Sequence, residues 1–174
     1  QDGLSRVTLG NFLIKRVVFE IQEELPNIKN FGTLSPIPGF RDWFVNLDEK
    51  FIKNILGNIP LENISFLKSS SFKIGDTRII SNKNALYKLV GHYLMNEKNS
   101  KQLPINDVCR FHLGNGAIID DIIINANISE VGFKRSFGIM VNYLYELKNI
   151  EKNHEEYINK KITIISNKVK KLIQ

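Results

Sequence analysis

The chain of 174 residues and 20.0 kDa is 43% hydrophobic and 24% charged, the balance of a folded domain, which excludes wholesale disorder, a collagen-like repeat and a disulfide scaffold. Its 24 Lys and Arg against 18 Asp and Glu leave a formal charge of +6, which suits a polyanionic partner without choosing among nucleic acid, an anionic membrane surface and a phosphorylated cofactor. No uncharged apolar run approaches the roughly 18 residues of a membrane-spanning helix, and a single cysteine, Cys109, excludes an internal disulfide.

The chain opens on Gln1 and shows neither the charged n-region nor the apolar h-region of a signal peptide. Leu9, Phe12, Leu13, Val17, Ile21 and Leu25 recur at helical spacing, and Pro26 closes that helix. Ser5 to Asn11, Ser-Arg-Val-Thr-Leu-Gly-Asn, stands at its start. A helix N-terminus offers free N–H groups that can hold a phosphate; Gly10 lets the backbone approach closely, and Lys15 and Arg16 follow. An ordinary N-cap is the plainer reading of the same residues.

Ile28 to Ser35 reads as a short strand running into Ser35-Pro36-Ile37-Pro38-Gly39-Phe40, where two prolines and a glycine fix a stiff loop. Ser35 therefore has a well-defined position, as a catalytic group needs. It lacks the Gly-x-Ser-x-Gly elbow of hydrolases, and a turn serine bonded to its own backbone explains it too. Phe51 to Leu56 and Ile59 to Leu67 read as short helices, the Ser69-Ser70-Ser71 run as a loop or helix start, and Ala85 to Met95 as a helix. Pro104 to His112 reads as a short helix or turn, Gly116 to Ile128 as an isoleucine-rich strand interrupted by Asp120-Asp121, and Ser136 to Leu147 as a helix.

In the tail, Ile158, Ile162, Ile165, Val169 and Leu172 follow a four-three-four-three spacing, a stripe for the domain or for a partner helix in a homo-oligomer. The lysines around it, Lys160, Lys161, Lys168, Lys170 and Lys171, read as a solvated face. His112 sits between Phe111 and Leu113 and reads either as a satisfied core histidine or as a site residue. His92 and His154 read as structural, and one cysteine with scattered histidines does not make a zinc site. Basic and aromatic residues do not interleave as a nucleic-acid surface requires, so no nucleic-acid partner is expected.

Four collinear blocks carry a resemblance. They are Gly10-Asn11-Phe12-Leu13-Ile14-Lys15-Arg16-Val17-Val18, Phe31-Gly32-Thr33-Leu34-Ser35-Pro36-Ile37-Pro38-Gly39-Phe40, Phe111-His112-Leu113-Gly114-Asn115-Gly116-Ala117, and Gly138-Ile139-Met140-Val141-Asn142-Tyr143-Leu144-Tyr145. In this order they resemble the malonyl-CoA decarboxylase family, and the proline-rich block is the most specific of them. The resemblance implies a mixed α/β fold of the GCN5-related acetyltransferase type, here as a fragment that lacks a preceding helical domain and the opening strands. Residues 1–148 would be the C-terminal part of the catalytic domain and 149–174 a helical tail.

The implied reaction is malonyl-CoA to acetyl-CoA and carbon dioxide. It uses no metal or organic cofactor, coenzyme A being part of the substrate. The resemblance assigns the proton donor to His112 and the malonyl hydrogen-bonding partner and formal proton acceptor to Ser35. It places Tyr145 in the site lining and gives Ser5, Arg6, Val7, Thr8, Leu9, Gly10 and Asn11 to malonyl-CoA contact. Two departures stand out: Thr8 where the family pattern carries glutamate, and Asp120-Asp121 where it carries a tryptophan–arginine pair. They leave room for an acyl-CoA-binding relative without decarboxylation, or for an acyltransferase of the same fold. An intracellular location, cytoplasmic or organellar with a mitochondrial one included, is expected, and Leu172-Ile173-Gln174 is not the Ser-Lys-Leu peroxisomal signal.

Overall fold

The computed structural model describes residues 9–69 and 71–174, with side chains from Ile14 onward except Lys15. Helix α1 (Leu9–Glu24) ends two residues before Pro26, whose ring disfavours helix in the residue before it. Val18 of α1 turns inward, with Ile14 and Ile21 packed beside it. Strand β1 (Phe31–Pro36) follows, and helix α2 (Phe40–Asn46) begins where the sequence reading places only a loop. Gly39 makes the corner at φ 82°, and a Cβ there would come within 2.9 Å of the Tyr93 hydroxyl. Both the left-handed backbone and the close approach require glycine.

Helices α3 (Glu49–Leu56), α4 (Glu62–Ser65, continued by a 3-10 turn over Phe66–Lys68) and α5 (Arg78–Ser81) pack around α6 (Lys83–Met95). The buried face of α6, with Leu86, Leu89, Val90 and Leu94, is the one its helical spacing anticipates. Phe137 meets Phe40 and Phe44 edge-on, at 6.1 and 5.9 Å between ring centroids, the arrangement that ring quadrupoles favour.

Helix α7 (Asp107–Gly114), strand β2 (Ile118–Ile123), helix α8 (Glu130–Ser136) and strand β3 (Met140–Tyr145) come next. The sheet has the order β1-β3-β2, with β3 antiparallel to both neighbours. The expected helix from Ser136 to Leu147 is thus corrected to a strand. Val141, Tyr143 and Tyr145 are buried and Met140, Asn142 and Leu144 half-buried, a two-residue period that belongs to a pleated strand. The strand expected over Gly116 to Ile128 is shorter and ends at Ile123, with the register irregular at Asp120 between Ile119 and Asp121.

The tail stripe is not one helix either. Helix α9 (Ile150–Lys160) stops where Lys161 takes a left-handed φ of 56°. Around Ile165 the chain bridges to Ile119, and α10 (Asn167–Leu172) starts on its Ser166 cap. Ile165 and Val169 consequently pack on the core, while Ile158 and Ile162 are exposed. Helix α9 contacts α7, and α10 contacts β2 and α6. The whole is a mixed α/β arrangement of one small antiparallel sheet and surrounding helices. Among the described residues, no helix is long and apolar enough to cross a membrane.

Candidate active site

One face of the sheet gathers the candidate residues. Alternation along β1 puts Thr33 and Ser35 on the same side. The register sets Thr33 opposite Tyr143, Ser35 opposite Val141 and Phe31 opposite Tyr145 of β3. Helix α7 brings His112 to this face, anchored by the buried Cys109 and Leu113. The His112 ring stacks on Tyr143 with centroids 4.3 Å apart and planes at 17°. Ser35 Oγ and His112 Nε2 share a hydrogen bond of 3.0 Å. On the other side of the ring, Nδ1 lies 2.7 Å from the Tyr145 hydroxyl and 3.4 Å from Thr33 Oγ1.

Ser35 and His112 are both buried. Burial pushes the His112 pKa down to about 4, because the imidazolium loses hydration. Its described hydrogen-bond partners are hydroxyls, not carboxylates, so no counter-charge offsets that loss and the ring is neutral at neutral pH. Burial raises Tyr145, which keeps its proton. Cys109, one turn before His112, is pushed up to about 12 by the same cause and stays an inert thiol. A groove of about 430 Å³ between α1 and β1 is lined by Ile14, Val17, Val18 and Ile21 on the helix side. Thr33 and Tyr145, the two hydroxyls at His112 Nδ1, line it as well.

Of the residues that the sequence singles out, Ser35, His112 and Tyr145 come together in this cluster. Ser5, Arg6, Val7 and Thr8 lie outside the described residues. For Leu9, Gly10 and Asn11 only the backbone, in the first turn of α1, is described. Asp120 accepts from Asn142 Nδ2 at 3.2 Å, and Asn142 points to the sheet face opposite Tyr143. Asp121 pairs with Lys168 at 2.5 Å. Neither acid therefore faces the cluster. His92 lies 3.3 Å from Glu97, and His154 Nδ1–H donates to the Gly114 carbonyl at 2.6 Å.

Sequence reasoning misses Thr33 and Tyr143 as site residues. Each lies two positions before a singled-out residue on a strand: for Thr33 that signal is present in the strand read over Ile28 to Ser35, and for Tyr143 it exists only once Gly138 to Tyr145 is read at a two-residue period. Among the described residues, no three His, Cys, Asp or Glu side chains gather where they could hold a metal ion.

The family model for the malonyl-CoA decarboxylase C-terminal domain matches residues 1–174. The chain belongs to the malonyl-CoA decarboxylase family. It is 35% identical to "Malonyl-CoA decarboxylase, mitochondrial" of Mus musculus, over 99% of this chain and 39% of that protein. The enzyme of the same name from Anser anser anser is 35% identical, over 92% of this chain and 35% of its own length. The crystal structure of malonyl-CoA decarboxylase from Rhodopseudomonas palustris superimposes with a TM-score of 0.82 at 36% identity, covering 99% of this chain and 39% of that one. That of the Agrobacterium vitis protein gives 0.82 at 34% identity, covering 100% and 43%. This family member thus spans 35% to 43% of the length of these relatives.

Proposed function

We propose that the protein carrying this chain is a malonyl-CoA decarboxylase and that this chain supplies its acid–base centre. The observation that carries the reading is the buried hydroxyl–imidazole–hydroxyl array: Ser35 at 3.0 Å from His112 Nε2 and Tyr145 at 2.7 Å from Nδ1. In the reaction, the bond between the carboxylate carbon and the methylene carbon of the malonyl group breaks. Its electron pair moves into the thioester carbonyl, carbon dioxide leaves, and an enolate remains. A proton then joins the methylene carbon to give acetyl-CoA. The thioester carbonyl is itself the electron sink, so the chemistry calls for no metal or organic cofactor.

The chain's own groups suit the two demands this makes. Tyr145 and Thr33 both turn a hydroxyl to Nδ1 and Ser35 turns one to Nε2, and the proton of the neutral ring is assigned to Nε2, on the Ser35 side. Ser35 Oγ accepts from Nε2–H and directs its own O–H to the malonyl group, where negative charge develops. Once protonated in the substrate complex, His112 delivers a proton to carbon, returns to the neutral ring and is refilled from solvent. The substrate carboxylate brings the negative charge that the buried ring lacks, so binding raises His112 from about 4 toward neutrality. The aliphatic groove beside Thr33 and Tyr145 takes the pantetheine arm, and Ser5 to Asn11 are the residues given to malonyl-CoA contact.

The same reading takes residues 1–148 as the C-terminal part of a GCN5-related acetyltransferase-like catalytic domain and 149–174 as its helical tail. It places the protein inside the cell, in line with relatives named as mitochondrial. The pairing of Asp120 and Asp121 away from the cluster removes one ground for a relative that binds acyl-CoA without turning it over. The test is acetyl-CoA formation from malonyl-CoA by the intact protein and by its His112→Ala variant. Turnover falling by about 10²- to 10⁴-fold in the variant is expected of a lost proton donor. Malonyl-CoA binding with no turnover by the unmodified protein refutes the proposal.

A further inference from the structure

Ser35 lies on β1 and His112 on α7, 77 residues apart in the chain, so their 3.0 Å contact depends on how the two elements are joined. One side chain makes the join. Asn106 Oδ1 accepts from the Cys109 N–H at 2.8 Å and so caps α7 one turn before His112. Asn106 Nδ2 donates to the Pro38 carbonyl, also at 2.8 Å, three residues past Ser35. The same carbonyl accepts from the Tyr93 hydroxyl at 3.1 Å. Pro36 and Pro38 each fix φ between Ser35 and that carbonyl, so a displacement there is transmitted to Ser35 instead of being absorbed.

Capping alone does not call for asparagine. Serine, threonine or aspartate caps a helix as well. None of them has an amide N–H to reach Pro38 while an oxygen of the same group holds Cys109. Asn106 is 2% exposed, so bulk water does not replace a lost partner.

We infer that Asn106 is a positioning residue for this centre: by tying the Pro38 carbonyl to the first turn of α7, with Tyr93 as a second tie, it sets the separation of Ser35 Oγ and His112 Nε2. For its turnover readout the inference rests on the decarboxylase reading; its geometric content does not.

The test compares Asn106→Ser, which keeps the cap and removes the tie, with Asn106→Ala, which removes both, in the intact protein. A displacement of about 1 Å between reacting groups costs up to about 100-fold, so N106S is expected to lower kcat on malonyl-CoA by roughly 10- to 100-fold with KM within about threefold. In an NMR titration of the histidine ring protons, His112 of N106S is expected to titrate above its starting value near 4, as water enters the loosened cluster. N106A behaves likewise and also melts at a lower temperature.

Wild-type turnover and an unmoved His112 titration in N106S overturn the inference. Lost turnover with an unmoved titration also overturns it, because the damage then does not pass through the histidine. Should N106S fail to fold, Tyr93→Phe leaves the cap intact and removes the second tie. It carries the same two readouts with the same expected and overturning results. An unmodified protein that releases no carbon dioxide ends the decarboxylase reading, and the His112 titration then decides the tie alone.

Discussion

The buried imidazole makes the fold sensitive to acid within a defined window. The folded pKa of His112, about 4, lies below its ordinary 6.5, so the unfolded chain binds the proton more readily than the native one. The stability held by the neutral ring is therefore fully present above pH 6.5 and is lost as the pH falls toward 4, where the folded protein protonates too. That gap is worth about 3 kcal/mol, a large share of the roughly 5–15 kcal/mol by which domains are stable. Urea unfolding of the wild type and of His112→Gln across this range isolates the term, because the carboxylates are common to both. The wild type is expected to lose about 3 kcal/mol more than the variant between pH 7 and pH 4. Parallel pH dependences would show that the folded ring titrates as if hydrated, and would refute the closed cluster and the protonation scheme built on it.

Two substitutions probe the surroundings of the ring. Tyr145→Phe removes the 2.7 Å partner of Nδ1 and leaves Thr33 at 3.4 Å. It is expected to lower kcat about 10- to 100-fold and stability by about 1 kcal/mol, as steady-state turnover and denaturant unfolding would show. Gly116, in the Phe-His-Leu-Gly-Asn-Gly-Ala block, has φ 81°, and a Cβ there would collide with the Ile150 carbonyl oxygen. Gly116→Ala is expected to destabilise by about 3 kcal/mol or more in thermal unfolding. A loss under about 1 kcal/mol would contradict the close passage of that turn beneath α9.

The sequence discloses most where a period is unambiguous. Helices α1 and α6 follow from apolar residues three and four apart, and β1 from a short run closed by Ser35-Pro36-Ile37-Pro38-Gly39. Strand β3 escapes because Met140, Val141, Tyr143, Leu144 and Tyr145 are apolar at nearly every position. A strand with one face buried and the other half-buried shows little alternation in sequence, and the burial that reveals its pleat is tertiary. The tail fails differently: its stripe keeps a heptad-like spacing, yet the left-handed turn at Lys161 leaves no mark in that spacing.

At the site, Ser35 and His112 each have a bland reading on local grounds, and the collinear motifs singled them out. The pairing of Thr33 with the far side of the ring, and the stacking of Tyr143, follow from a register that joins distant segments. Asp120 and Asp121 illustrate the limit from the other side. Their charge is plain in the sequence, but their partners Asn142 and Lys168 are set by strand pairing and by the docking of α10.

The position of β1 in the sheet also bears on how the molecule comes into being. Its neighbour within the sheet is β3, and the first paired residue there, Met140, is synthesised more than a hundred residues after Pro36. At roughly 5–20 residues per second on the ribosome, that interval is on the order of ten seconds. Throughout it the Phe31–Pro36 segment lacks its β3 partner, and the backbone groups meant for that pair are a template for other nascent chains or a substrate for chaperones. The serine is thus made well before the segment that seats it. Activity appearing during synthesis would report closure of the β1–β3 pair, the most non-local event in this chain and the one expected to limit its folding rate.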